Sequence, residues 1–371
     1  MHLVRNTDWL LLIAALCISA LGLISMEGLG QGSAFADRQT VWLLLAVGAF
    51  VLFSSFDLRI LRRTSVVVAI YGVALVLLSF LFIAGSVFGG AQGWFDLGFF
   101  ALQPADPAKL ALVLVLAKYF SRRHIEIAHL RHLVVSGAYA LMVIALLFFQ
   151  PDFGSAVIVA ALWMGMVLVA GIPFSRLALL AGISAAAFVL LWNFGFAEYQ
   201  KERIITFIHP LADIQGSGYN AFQSMVAVGS GGIFGKGIGY GTQSRLQFLP
   251  EHETDFIFAS FAEEWGLVGV IILLGLYGVL LYRLVANARR GETNFESLFT
   301  LGVAILILVH LSIHVGTNVG LIPVTGTTLP FMSYGGSHLI TGYAMLGMVN
   351  AMRRYQRPVR EMSDREMVKI G

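Results

Sequence analysis

Ten apolar runs separated by short polar stretches organise this chain, at roughly 9–26, 40–56, 65–86, 108–120, 133–149, 155–171, 177–196, 256–282, 296–316 and 335–352. A helix needs about 20 apolar residues to cross a bilayer, so the run at 108–120 must borrow flanking residues. None of the runs alternates polar and apolar positions as barrel strands do. The pattern predicts an all-α integral membrane protein: a bundle of about ten transmembrane helices forming a single polytopic domain over 1–371, with no sheet. One polar interval stands apart. It spans 197–254, between the seventh and eighth helices, and loops of that length are usually functional or disordered. Ile204, Ile205, Phe207, Tyr219, Phe222, Met225 and Phe248 are spread along it. They predict an ordered loop lying partly on the membrane, with a short amphipathic helix over 219–228.

Composition agrees with this reading. Of 371 residues, 58% are hydrophobic and 12% charged, about half the charged fraction of a soluble domain. Mean hydropathy is +0.81. Nucleic acid is not an expected partner, whereas membrane lipid is. The single cysteine, Cys17, excludes an intramolecular disulfide and any cysteine-based metal site. The run after Asp8 is longer than a signal-peptide core and no small-x-small cleavage site follows, so it reads as a retained first helix.

Charge sets the expected orientation. With the N-terminus in the cytoplasm, 18 of the 24 lysines and arginines fall on the inner side, from Arg5 to Lys369. Arg38, Lys109, Lys201, Arg203, Lys236 and Arg245 fall outside, four of them in the long loop. Both termini are then cytoplasmic and 197–254 is extracytoplasmic.

The outer face gathers the candidate chemistry. Leu249-Pro250 ends the long loop, Glu251, Glu253 and Asp255 follow with His252 among them, and from Phe256 the chain turns apolar. An acid in the first turn of a helix ordinarily offsets the macrodipole, which would lower its pKa. Crowding by Glu251, Glu253 and Glu263, with dehydration, acts the other way and moves Asp255 toward the range useful for a general base. Lys109 reads either as a snorkelling lysine at a helix end or as a cation for an anionic head group, and Asp106, one turn earlier, can pair with it. Gly229–Gly241 fails the phosphate-loop pattern at two positions. It reads as a loop crossing close to another backbone, with Lys236 still able to meet a diphosphate. Glu263 and Glu264 lie inside the eighth run, where buried acids are costly. The expected partner is His310 or His314, which share one face of the ninth helix. A structural pair there is favoured over a zinc site.

Several stretches carry a family resemblance: AQGWFDLG (91–98), QPADPAKL (103–110), QPDFGSA (150–156), 218–269 including GTQSRLQFLPEHETDFIF, and LPFMSYGGS (329–337). On these the chain resembles the SEDS proteins of bacterial cell-wall synthesis, of the elongation rather than the division type. The resemblance implies ten helices and a peptidoglycan glycosyltransferase that polymerises lipid II at the outer face of the bacterial cytoplasmic membrane, within the elongation machinery. It implies a class B penicillin-binding protein, the crosslinking transpeptidase, as partner. It places the essential acid on Asp255 and an acid–lysine pair on Asp106 and Lys109. The chain departs from the usual pattern at Gly93, at Glu253 with His252 one place early, and at Asp106 in place of glutamate.

An inverting transfer from an α-linked diphosphate needs a base on the acceptor hydroxyl, by analogy with inverting glycosidases, and positive charge on the leaving group. Asp255 is the expected base. Lys109 is the first candidate cation, followed by Lys236, Arg245 and a divalent ion such as magnesium. Asp106, Gln103 and Ser333 complete the expected substrate contacts. The rival readings are a lipid-precursor flippase, for which Glu263 is the one supporting feature, and a scaffold recruiting a transpeptidase. A flippase site would sit near the midplane on broken helices of repeated halves.

Overall fold

A computed structural model describes residues 7–28, 33–88, 91–96, 98, 101–122, 130–171, 173–209, 218–246 and 248–353. Each apolar run lies in a helix: α1 (Trp9–Gly28), α2 (Ser33–Ser55), α3 (Thr64–Ala84), α4 (Ala105–Ser121), α5 (Leu130–Phe149), α6 (Phe153–Val169) and α7 (Phe174–Phe194), then α11 (Ile257–Arg289), α12 (Asn294–Asn318) and α13 (Gly336–Arg353). Among the described residues, six helices (in α1, α2, α3, α5, α11 and α12) are long and apolar enough to cross a membrane. The long loop holds three further helices: α8 (Glu198–Ile208), α9 (Tyr219–Ser230) and α10 (Thr242–Arg245). The expected helix over 219–228 is thus present as α9. Residues 210–217 of this loop lie outside the described residues, as do Arg5, Arg123 and the basic tail from Arg354 to Lys369.

The expectation of no sheet is corrected. Ser86–Phe88 (β1), Ala91–Asp96 (β2) and Ala101–Leu102 (β3) form a small antiparallel sheet in the order β1-β2-β3. Phe95 pairs with Leu102, and Ser86 with Trp94. The signal was Gly89-Gly90 between two runs rich in aromatic and β-branched residues, a hairpin pattern. It was masked by the continuous apolarity of its surroundings.

α12 is central: it packs against α11, α4 and α6, while α13 lies along α2 and α1 along α11. Apolar side chains fill the interior. Leu112, Leu116, Phe120, Phe299, Val303 and Tyr343 have no exposed surface, whereas α2, α3 and α7 keep exposed rows such as Leu44, Val76 and Val189. A helix that is apolar all round belongs against lipid or in a core, and these helices have both surfaces.

Polar clamps close one end of the bundle. Asp8 accepts hydrogen bonds from Arg283 Nη2 at 2.8 Å and Asn287 Nδ2 at 2.9 Å, and its N–H donates to Asn350 Oδ1 at 2.8 Å. That joins α1, α11 and α13. Arg62 holds Glu292 and Glu296 at 2.5 and 2.6 Å, and Lys118 Nζ donates to the Arg62 carbonyl. Asp8 and its partners thus sit toward the opposite end of α11 from Asp255.

Candidate active site

The approach to α11 is a set of tight turns. Glu251 adopts a left-handed backbone (φ 51°), and the N–H groups of Thr254 and Phe256 both donate to its carbonyl, at 3.2 and 3.1 Å. α11 begins at Ile257 with Phe256 as its cap residue, and no side chain caps it. Asp255 therefore precedes the first turn and does not act as a helix cap. Its backbone is fixed instead: its carbonyl accepts from Asn318 Nδ2 at 3.0 Å. Asn318, fully buried at the end of α12, also accepts from the Ala259 N–H through Oδ1 at 3.0 Å.

The neighbouring segment 326–334 walls the acid. A Cβ on Gly326 would lie 3.4 Å from Asp255 Oδ2, so this backbone runs directly alongside the carboxyl. Ser333 Oγ donates to the Thr254 carbonyl at 2.7 Å and accepts from the Leu329 N–H at 2.8 Å. The Tyr334 N–H donates to the Glu253 carbonyl at 2.9 Å. Ser333, expected to touch substrate, spends its hydroxyl on positioning the turn before Asp255.

Burial pushes the Asp255 carboxyl up to about 7. Glu251, Asp152 and Glu253 add to the rise, and Arg203 on α8 opposes it. The residue keeps some surface, while its carboxyl group is almost wholly surrounded by protein. A half-protonated acid near pH 7, still reachable from outside, suits general-base work.

The second polar group lies on the other side of the same segment. Lys109 Nζ and Asp106 Oδ1 are 3.1 Å apart, and His338 Nδ1 is 3.3 Å from the same oxygen. Lys109 and Asp106 are each 4% exposed, and Asp106 Oδ2 has no partner. They line a small pocket with His310, Phe331, His338 and Met345. His310 and His338 have ring centroids 5.1 Å apart. The pairing of Lys109 with Asp106 that their one-turn spacing allowed is present, and Lys109 is enclosed by protein rather than snorkelling from a helix end. Gln103 is held through its backbone, its N–H donating to Ser337 Oγ at 3.2 Å and its carbonyl accepting from that hydroxyl at 3.3 Å.

The expected pairing of Glu263 with His310 or His314 is corrected. His314 Nδ1 donates to the Thr327 carbonyl at 2.7 Å and His310 Nδ1 to the Thr328 carbonyl at 3.3 Å. Glu263, with no exposed surface, binds the glycine-rich loop, its Oε1 lying 2.7 Å from Lys236 Nζ. Lys236 is therefore engaged by protein. Arg245 is exposed at the end of α10. Among the described residues, no group of three or more His, Cys, Asp or Glu side chains is arranged to hold a metal ion.

Sequence reasoning missed His338, Arg203, Asp152 and Asn318. Only the first two had a visible signal: a histidine just after the glycines of 335–336, and a second cation in the long loop. The other two matter through tertiary contacts.

A bundle of apolar helices, six of them among the described residues long and apolar enough to cross a membrane, with a buried yet reachable acid at the head of one of them, defines a multi-pass membrane protein. The cell cycle protein family of FtsW, RodA and SpoVE matches residues 2–358, and the chain belongs to that family. It is 35% identical to the peptidoglycan glycosyltransferase MrdB of Escherichia coli K12 over 352 residues, covering 95% of this chain and 94% of that one. It is 33% identical to stage V sporulation protein E of Bacillus subtilis, covering 95% and 98%. Its fold matches a chain of a solved peptidoglycan synthase complex, described as coordinating polymerization and crosslinking, with a TM-score of 0.81 at 34% identity over 95% and 99% of the two chains. It also matches the rod shape determining protein RodA of Thermus thermophilus, with a TM-score of 0.71 at 33% identity over 95% and 98%.

Proposed function

We propose that this peptidoglycan glycosyltransferase polymerises lipid II by a single inverting displacement in which Asp255 is the general base. The acceptor sugar's hydroxyl oxygen attacks the anomeric carbon of the donor, and its proton passes to Asp255. The bond from that carbon to the diphosphate oxygen breaks, and its electron pair leaves with the diphosphate, which needs no proton. Asp255 then returns the proton to water. One observation carries the assignment: a carboxyl raised to about 7 by burial and by Glu251, on a residue that keeps part of its surface exposed.

The leaving diphosphate needs positive charge. Arg203, which faces Asp255, and exposed Arg245 are better placed for this than Lys109, whose charge is held by Asp106. A divalent cation such as magnesium would be held in part by the substrate's own phosphates, and no step above runs through it. Glu263, the feature that favoured a flippase, is engaged by loop donors.

The topology proposed is ten crossings with both termini cytoplasmic and 197–254 outside, which places Asp255 at the outer face of the bacterial cytoplasmic membrane. The distribution of lysine and arginine supports it. The proposed partner is a class B penicillin-binding protein, supported by the fold match to a synthase complex. The test is to supply labelled lipid II to the purified protein with that partner. Glycan strands are expected, and their absence with folded protein would overturn the reading.

A further inference from the structure

α11 is broken at Gly266, where the backbone turns to φ 65° and ψ −166°. The glycine-rich loop is woven into that break. The N–H groups of Lys236 and Gly237 donate to the Glu263 and Glu264 carbonyls, each at 3.0 Å. In return the N–H groups of Leu267 and Val268 donate to the Gly232 and Ile233 carbonyls at 3.0 and 3.1 Å. Gly235 (φ 79°) and Gly266 meet backbone to backbone, and a Cβ on either would overlap the other strand of chain.

Glu263 is the side-chain anchor of this crossing. Its Oε1 accepts from Lys236 Nζ at 2.7 Å, the Thr242 N–H at 2.9 Å, Thr242 Oγ1 at 3.0 Å and the Gln243 N–H at 3.2 Å. Burying a carboxylate is costly unless it is paired and hydrogen-bonded, and here every donor comes from the loop. The constraint continues toward Asp255. The Leu249 N–H donates to the Gln243 carbonyl at 3.0 Å. Leu249 is fully buried against Phe256, Ala259 and Ala227, and His252 Nδ1 donates to the Leu249 carbonyl at 2.9 Å.

We propose that Glu263 is a positioning residue for Asp255, closing a ring in which Glu263 fixes 242–243, 243 fixes Leu249, and Leu249 packs the turn that carries the base. The inference rests on Asp255 being the base. The groups facing that acid are Glu251, Glu253, Asp152 and Arg203; Glu263 acts on it only through the loop. When the ring is cut, Leu249 no longer seals Phe256, water reaches the Asp255 carboxyl, and its burial-driven rise is lost.

The experiment measures lipid II polymerisation against pH for the parent complex, Glu263→Ala, Glu263→Gln and Asp255→Asn. Glu263→Ala is expected to cut kcat at least ten-fold, leave KM within about two-fold, and move the acidic limb down from about 7 by a pH unit or more, toward an ordinary carboxylate. Glu263→Gln, which keeps an acceptor oxygen for 242 and 243, is expected to hold the limb in place. A Glu263→Ala protein with the parent's kcat and limb, or one that loses only folded fraction, overturns the proposal. If that variant does not fold, Thr242→Val with Lys236→Met removes the two shortest side-chain donors to Glu263 and must move the limb in the same direction. Asp255→Asn separates the two ideas. If it is inactive while Glu263→Ala keeps the parent profile, only the positioning role fails; if it polymerises normally, the base assignment fails first.

Discussion

Ser333 Oγ donates to the carbonyl of Thr254 at 2.7 Å, so the loop leaving α12 holds the peptide immediately before Asp255. The same loop supplies Pro330 and Phe331 to the cavity of Asp106 and Lys109. Two polar groups far apart in sequence therefore share one wall, and a change in either can reach the other through 326–334.

Asp255→Asn should abolish polymerisation, a loss of about a hundred- to ten-thousand-fold for a general base, with partner binding retained. Activity of the parent should rise with pH through about 7 as the carboxyl ionises. The stability sign is opposite to that of a helix cap. The folded value lies above the unfolded value of about 3.9, so the acid's contribution is present below about pH 4 and is lost as pH rises through about 7. At pH 8 Asp255→Asn should therefore melt no lower than the parent. A capping carboxylate would instead lose roughly 0.5–2 kcal/mol. Thermal melts at pH 5 and 8 distinguish the two.

Removing one member of the Asp106–Lys109 pair should be worse than removing both. Lys109→Met leaves Asp106 buried beside His338 without its main counter-charge, and Asp106→Asn leaves Lys109 in the same state. Losses of about 3–5 kcal/mol follow from breaking a buried pair, and the neutral double variant should recover part of them. A double-mutant cycle on melting temperature and activity checks this. Additive losses would mean that the pair is not coupled.

At the other end of α11, Asp8→Ala should destabilise the bundle by roughly 3 kcal/mol, the low end for a buried pair because Arg283 keeps part of its side chain exposed. Burial alone would raise Asp8, but hydrogen bonds from Arg283 and Asn287 outweigh it and hold the carboxyl below its ordinary value. Its contribution is then present above about pH 4 and is lost as pH falls through the lower folded value. The parent's melting temperature should drop more steeply than the variant's on acidification below pH 4.

Gly266→Ala should cost far more than the ~1 kcal/mol by which alanine normally outperforms glycine in a helix, and in the opposite direction. Alanine favours a continuous helix, whereas the loop crossing requires the break and leaves no room for a Cβ. Greatly reduced folded yield is expected, with Gly278→Ala, which meets nothing within 4 Å, as the control near parent level.

The sequence by itself determined the helices and the membrane class, and it singled out Asp255 as the candidate acid. Apolar runs of spanning length have few alternatives in lipid, because every backbone polar group must be satisfied within the segment. Asp255 was visible because a carboxylate directly ahead of an apolar run is chemically conspicuous. The Asp106–Lys109 pair was legible from its one-turn spacing, but the other partners were not. Glu263 takes Lys236 and Thr242 rather than a histidine, because the break at Gly266 turns the glycine loop into its neighbour. Ser333 serves a backbone and Lys109 is enclosed, because α12 and α13 bring 326–338 against both. Hydrophobic periodicity fixes which residues leave water. Which buried polar group meets which donor depends on helix packing over separations of tens to hundreds of residues, and only the assembled fold decides it.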